Sequence, residues 1–155
     1  MKKIAILIPV FNDWQSVFKL LEVINLEVSK LDVEFSVIIF NDASTEKRLE
    51  ILADLSNLKS VQIINMKENR GHARCNAAGL KYISERQDFD YVIPMDGDGE
   101  DRPEELSLLI EKIKEYPNTV ITANRVKRSE GFIFKFCYLI HKYLTLVFTG
   151  QTIKY

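Results

Sequence analysis

An α/β fold, a mostly parallel sheet with helices on both faces, is what this sequence predicts, and three observations predict it. Short β-favouring apolar runs alternate with segments whose apolar residues recur at helical spacing, the pattern of repeated strand–helix units. Ile4 to Ile8 is continuously apolar and Val33 to Phe40 largely so, as strands buried on both faces are. Each conspicuous polar cluster follows such a run, at the strand ends where open parallel sheets bind their ligands.

Taken in order, Ile4 to Ile8 is the first strand, stopped by Pro9. Val17, Leu20, Leu21, Ile24 and Val28 then mark a helix. Val33 to Phe40 is the second strand, ended by Asn41-Asp42-Ala43-Ser44-Thr45. Leu49, Leu52, Leu55 and Leu58 mark a second helix, and Ser60 to Asn65 a third strand. After Arg70-Gly71-His72, the residues Ala73, Ala77, Leu80 and Ile83 keep helical step. Phe89 to Met95 supplies the fourth strand, Pro103 opens a helix carrying Leu106 to Ile113, and Val120 to Ala123 supplies a fifth strand. Residues 132–148 form an apolar C-terminal helix of nearly five turns.

The chain of 155 residues, 46% hydrophobic and 28% charged, has the composition of an ordinary globular domain. Its main body is expected over residues 1–130, with residues 131–155 a basic, apolar helix and tail. The net charge of -1 conceals an asymmetry. Six acids fall between Asp96 and Glu105, whereas six Lys/Arg and only Glu130 follow Ile121. Nucleic acid is not an expected partner. Cys75 and Cys137 have no metal-site or redox spacing, which suits a reducing, cytoplasmic setting. The apolar stretch before Pro9 is too short for a signal peptide.

The polar residues sort by strand end: Pro9, Phe11, Asn12 and Asp13 after the first, Asp42 after the second, Asn69, Arg70 and Gly71 after the third. Asp96, Asp98 and Glu100 follow the fourth and Arg125 the fifth. Three carboxylates at alternate positions on a glycine-bearing loop ask for a cation, and oxygen-only ligands favour Mg²⁺ or Mn²⁺. A plainer reading is a solvated acidic turn whose Glu104 and Glu105 favour a helix N-terminus. No GxGxxG follows the first strand and no GxxxxGK[ST] occurs, so neither a plain dinucleotide domain nor a P-loop NTPase fits.

Four segments together carry a resemblance: Ile8-Pro9-Val10-Phe11-Asn12-Asp13, Ile39-Phe40-Asn41-Asp42-Ala43-Ser44-Thr45-Glu46, Asn69 to Gly79, and Met95-Asp96-Gly97-Asp98. In order and spacing the chain resembles family 2 glycosyltransferases of the GT-A fold, a Rossmann-like sheet. The resemblance implies that Pro9, Phe11 and Asp13 line the base and ribose of a nucleotide-diphosphate sugar, and that Asp42 recognises the base, with Arg70 and Gly71 beside it. It further implies that Asp96 and Asp98 bind a divalent metal holding the diphosphate. A narrower resemblance is to polyprenyl-phosphate sugar transferases, similar to dolichol-phosphate mannosyltransferase. Glu100 then falls on a third metal position and Arg125 faces the diphosphate.

This resemblance implies an inverting, metal-dependent transfer from a nucleotide sugar to an acceptor such as a polyprenyl phosphate, in making cell-envelope glycans. Asp96, Asp98 and Arg125 would stabilise the leaving diphosphate. No general base is identifiable, which suits an acceptor that is already anionic. The alternatives are a nucleotide-sugar-binding piece without turnover and a transferase acting on a glycan. A nucleotidyltransferase would want a glycine-rich basic loop after the first strand, and a response-regulator-like module would leave Arg70 and Arg125 without a task. Relatives continue well past the position of Tyr155, so the chain is expected to be C-terminally truncated. The C-terminal helix, with Lys135 and Lys142 seven residues apart beside His141, is expected to lie on an anionic membrane surface, peripheral to the inner face, or to join a second copy in a homo-oligomer.

Overall fold

The computed structural model describes residues 2–48, 54–86, 88–123 and 132–150. They form two compact units, Met1–Thr119 and Val120–Tyr155. The first contains β1 (Lys3–Val10), α1 (Trp14–Val28), β2 (Glu34–Asn41), β3 (Ser60–Asn65), α2 (His72–Arg86), β4 (Tyr91–Pro94) and, after a 3₁₀ turn at Pro103–Glu105, α3 (Leu106–Glu115). The strands make one parallel sheet in the order β3-β2-β1-β4. This is the α/β architecture that the strand–helix alternation predicts.

Burial follows directly from the side-chain pattern. Seven consecutive residues of β1, Ile4 to Val10, are buried, because the strand lies between two neighbours and beneath helices on either side. On one face Ala5 and Leu7 of β1, Ile38 and Phe40 of β2, and Cys75 and Ile83 of α2 form a single cluster. Alternation sends Ile4, Ile6 and Ile8 to the other face. The buried positions of α1, Val17, Leu20, Leu21, Ile24 and Val28, recur at helical spacing. Helix α2 approaches β1 so closely at Gly79 that a Cβ there would sit 2.5 Å from Leu7 Cδ1.

Asn25 and Ser36, both buried, are tied by hydrogen bonds, whereas the buried Trp14 Nε1 has no hydrogen-bond partner among the described residues. Asn25 on α1 donates to the Asp54 carbonyl at 3.1 Å and accepts the Asn57 N–H at 3.0 Å, fixing the segment that leads into β3. Ser36 accepts from the Ser60 hydroxyl at 3.0 Å across the β2–β3 ladder.

Three expectations change. Leu55 and Leu58 are not helical: residues 54–59 form a turn closed by the Leu58 N–H on the Leu55 carbonyl, from which Leu58 still buries in the core. Positions 49–53 lie outside the described residues. Val120 to Ala123 is not a strand; Val120 is 89% exposed and has no ladder partner among the described residues. The fourth strand is also shorter than expected, ending at Pro94.

In the second unit, α4 runs from Phe132 to Thr149. Phe136, Leu139, Tyr143 and Phe148 are exposed on it. Among the described residues, no helix is long and apolar enough to cross a membrane. The expected boundary between residues 130 and 131 falls within 124–131, outside the described residues.

Candidate functional site

The strand order reverses between β1 and β4, and a sheet of this kind opens a crevice beyond the carboxyl ends of such a pair. A cleft of about 250 Å³ lies there, and its walls include Pro9, Phe11 and Asp13 from the β1–α1 turn, Asp96 and Asp98 from the loop after β4, and His72 from the start of α2. Phe11 is 48% exposed, an aromatic face offered to solvent at the end of a buried strand. Asp13 also caps α1, accepting the Ser16 N–H at 3.3 Å.

The acidic loop owes its shape to a residue without an assigned role. Asp101 accepts the Asp96 N–H at 2.8 Å, folding the loop back on itself, and Asp98 accepts the Glu100 N–H at 2.9 Å. Gly97 lets the loop lie against α1, for a Cβ there would come 2.8 Å from Val17 Cγ2. Glu100 lines a neighbouring groove of about 490 Å³ with Lys19 and Leu20 and is not among the residues lining the cleft, whereas Asp98 borders both.

Asp42 is placed differently from the expectation of a base-reading acid. It is 3% exposed and stands outside the cleft walls. Its two oxygens accept the Arg70 and Gly71 N–H groups, each at 2.8 Å. The carboxylate thus ties the end of β2 to the start of α2, where a negative charge also suits the helix dipole. The Arg70 guanidinium pairs with Glu68 rather than reaching the cleft. Cys75, one turn along α2, donates its thiol to the Phe40 carbonyl at 3.4 Å. Burial, with the Asp42 charge adding to it, pushes that thiol up to about 11, so it is a packing group and no nucleophile.

His72 is the site residue least legible beforehand. Its Nε2 lies 3.4 Å from Asp96 Oδ1 and 3.0 Å from the Asn76 amide nitrogen. A neutral ring either donates to the carboxylate or accepts from the amide, and the two arrangements exchange by a change of tautomer.

The family model described as glycosyl transferase family 2 matches residues 5–147. This chain belongs to that family. Similar solved structures are those of S. aureus TarS. The TarS 1–349 structure is 21% identical, with 80% of this chain and 39% of that chain covered and a TM-score of 0.54. The same TarS segment in complex with UDP-GlcNAc is 20% identical, with 83% and 39% covered, and in complex with UDP 19% identical, with 83% and 40% covered; both have TM-scores of 0.54. These likenesses show the GT-A type of fold. The chain spans about two fifths of TarS 1–349.

For a family 2 domain the fit of a divalent ion can be judged from the donors present. Among the described residues no three acid, histidine or cysteine side chains gather into a ready cage, so the expected trio of Asp96, Asp98 and Glu100 is not assembled. Glu100 lines the neighbouring groove and not the cleft that Asp96 borders. Asp96 and Asp98 remain as two hard oxygen donors on one open cleft. Ions of the Mg²⁺ type are commonly held by one or two carboxylates, with water and substrate phosphates completing the shell, so the donor pair fits. Arg125, expected to face the diphosphate, lies outside the described residues.

Proposed function

We propose that this glycosyl transferase family 2 domain binds a nucleotide-diphosphate sugar in the β1–β4 cleft and transfers the sugar, with inversion, to a polyprenyl phosphate. The observation that carries the reading is the meeting of an exposed aromatic wall, Phe11 with Pro9, and two carboxylates, Asp96 and Asp98, at the one point where the strand order reverses. TarS, similar in fold, has been crystallised with UDP-GlcNAc and with UDP, which supports a uridine nucleotide as the first ligand to try.

In this reading Phe11 and Pro9 take the base and Asp13 the ribose. Asp42 acts from behind, holding Arg70 and Gly71 in place. Asp96 and Asp98 hold Mg²⁺ or Mn²⁺, which when bound neutralises charge on the departing diphosphate. Glu100 stays in the neighbouring groove, and Arg125 adds a fixed positive charge to the same diphosphate. As the bond from the anomeric carbon to the diphosphate breaks, its electron pair leaves with the phosphate oxygen. An acceptor phosphate oxygen forms the new bond from the opposite face, without needing a base to remove a proton.

The lipid acceptor draws its support from α4, where Phe136, Leu139, Tyr143 and Phe148 are exposed and Lys142 adds positive charge. The domain then works in the cytoplasm, peripheral at the inner face of the membrane. The test is sedimentation with vesicles of neutral or anionic lipid, with and without a polyprenyl phosphate and a uridine-diphosphate sugar. Binding that needs anionic lipid, weakens with salt and drops in the Lys135→Glu, Lys142→Glu double variant, together with sugar appearing on the lipid, is expected. Protein that stays in the supernatant, as a dimer that Phe136→Asp dissociates, makes α4 a contact between copies and removes the lipid acceptor.

A further inference from the structure

We infer that Asn12, which stands outside the cleft walls, is a positioning residue that sets nucleotide affinity by locking the β1–α1 turn to the segment after β2; the inference rests on the proposed nucleotide site. Asn12 sits between Phe11 and Asp13, both of which line the cleft. Its φ is 55°, in the left-handed region that glycine enters freely and asparagine enters more readily than other side chains. A non-glycine residue held there at the edge of a binding cleft points to a constraint imposed by its partners.

Those partners all belong to one short segment. Asn12 Oδ1 accepts the N–H groups of Thr45 at 2.8 Å and Glu46 at 3.0 Å. Its Nδ2 donates to Thr45 Oγ1 at 2.9 Å, and its backbone N–H donates to Ser44 Oγ at 3.0 Å. Closer to the sheet, the Asp42 N–H donates to the Val10 carbonyl at 2.8 Å, so the same two segments are also joined at their roots. Phe11 leaves β1 between these two points of attachment. A half-exposed aromatic side chain on an unheld turn would lose its freedom only on binding, and that ordering would be subtracted from affinity. The Asn12 bonds place the backbone share of that loss in folding instead.

The test compares wild type with Asn12→Gly, Asn12→Ala and Asn12→Asp, with uridine diphosphate and Mn²⁺ titrated by calorimetry at a temperature where circular dichroism shows every variant folded. Glycine keeps the left-handed turn and loses the side-chain bonds; aspartate keeps the acceptor for Thr45 and Glu46. Asn12→Gly and Asn12→Ala are expected to bind roughly tenfold more weakly, Asn12→Asp within about threefold of wild type. Amide exchange at Thr45 and Glu46 should quicken in Asn12→Gly, and the fluorescence of Trp14, the single tryptophan two residues on, reads the same turn. If Asn12→Gly loses that amide protection yet binds the nucleotide within twofold of wild type, the latch is structural only and the inference fails by itself. If wild type binds neither uridine nor guanosine diphosphate, the proposed site falls and this inference with it.

Discussion

Asp42 is 3% exposed with both oxygens occupied by backbone N–H groups, so its weight falls on stability before it falls on any ligand. Asp42→Ala would leave the Arg70 and Gly71 amides without their acceptor, and hydrogen bonds to a charged group contribute about 1.5–3 kcal/mol each. With partial rescue by water, we expect a loss of about 3 kcal/mol, read from urea unfolding. Asp42→Asn should lose a comparable amount, because its amide NH₂ would face one of the two donors. A variant that unfolds with wild-type midpoint and slope would return Asp42 to a role at the ligand. At this scale the sequence displayed Asp96 and Asp98, since carboxylates alternating just past a strand end stand out by type and position. It did not single out Asp101, and it showed Asn12 only as one of the polar residues after the first strand, without its partners. Their importance lies in which amide each accepts from after the loops have closed, and residue type alone carries no such information. His72 was visible only as part of the Arg70-Gly71-His72 stretch that leads into the helix, and its approach to Asp96 joins segments that are distant in the chain.

Among the elements, β1, β2, β3, α1, α2 and α3 were legible because their apolar periods are long and unambiguous. The misread segments are the short ones. Leu55 and Leu58 keep a helical interval by coincidence, because a turn can also bury one leucine. Val120 to Ala123 has strand-forming composition, but β-propensity has effect only through pairing, and the segment has no ladder partner among the described residues. Helix α2 lies tight against β1 at Gly79. Gly79→Val adds a branched side chain where a single Cβ already meets the methyl groups of Leu7, so this fully buried residue must shift to admit it. Overpacking of this kind costs about 1–3 kcal/mol, and valine's modest helix propensity offsets little of it. Thermal unfolding should show a lower midpoint with an unchanged far-ultraviolet spectrum. An unshifted midpoint would mean that α2 can slide on the sheet.

At the scale of the whole molecule, the order β3-β2-β1-β4 places the acidic loop and the aromatic turn side by side, though they are over eighty residues apart in the chain. That proximity follows from parallel strands with helical crossovers, which is why the location of the site could be read from the alternation of elements. The third metal ligand could not be read the same way, because the loop after β4 closes on the Asp96 N–H to Asp101 bond and leaves Glu100 among the residues of the neighbouring groove. Net charge says little, whereas its distribution, acids at the cleft and bases toward the C-terminus, matches a metal–diphosphate site and an anionic surface respectively. The central claim is a metal-dependent nucleotide-diphosphate site built on Asp96 and Asp98. Its most direct test is calorimetric titration of uridine diphosphate into wild type and Asp98→Asn, each with Mn²⁺ and with chelator. The account predicts that Mn²⁺ tightens binding to wild type and that Asp98→Asn loses at least tenfold of that gain, about 1.4 kcal/mol. Equal affinity with metal and with chelator in both proteins would contradict it.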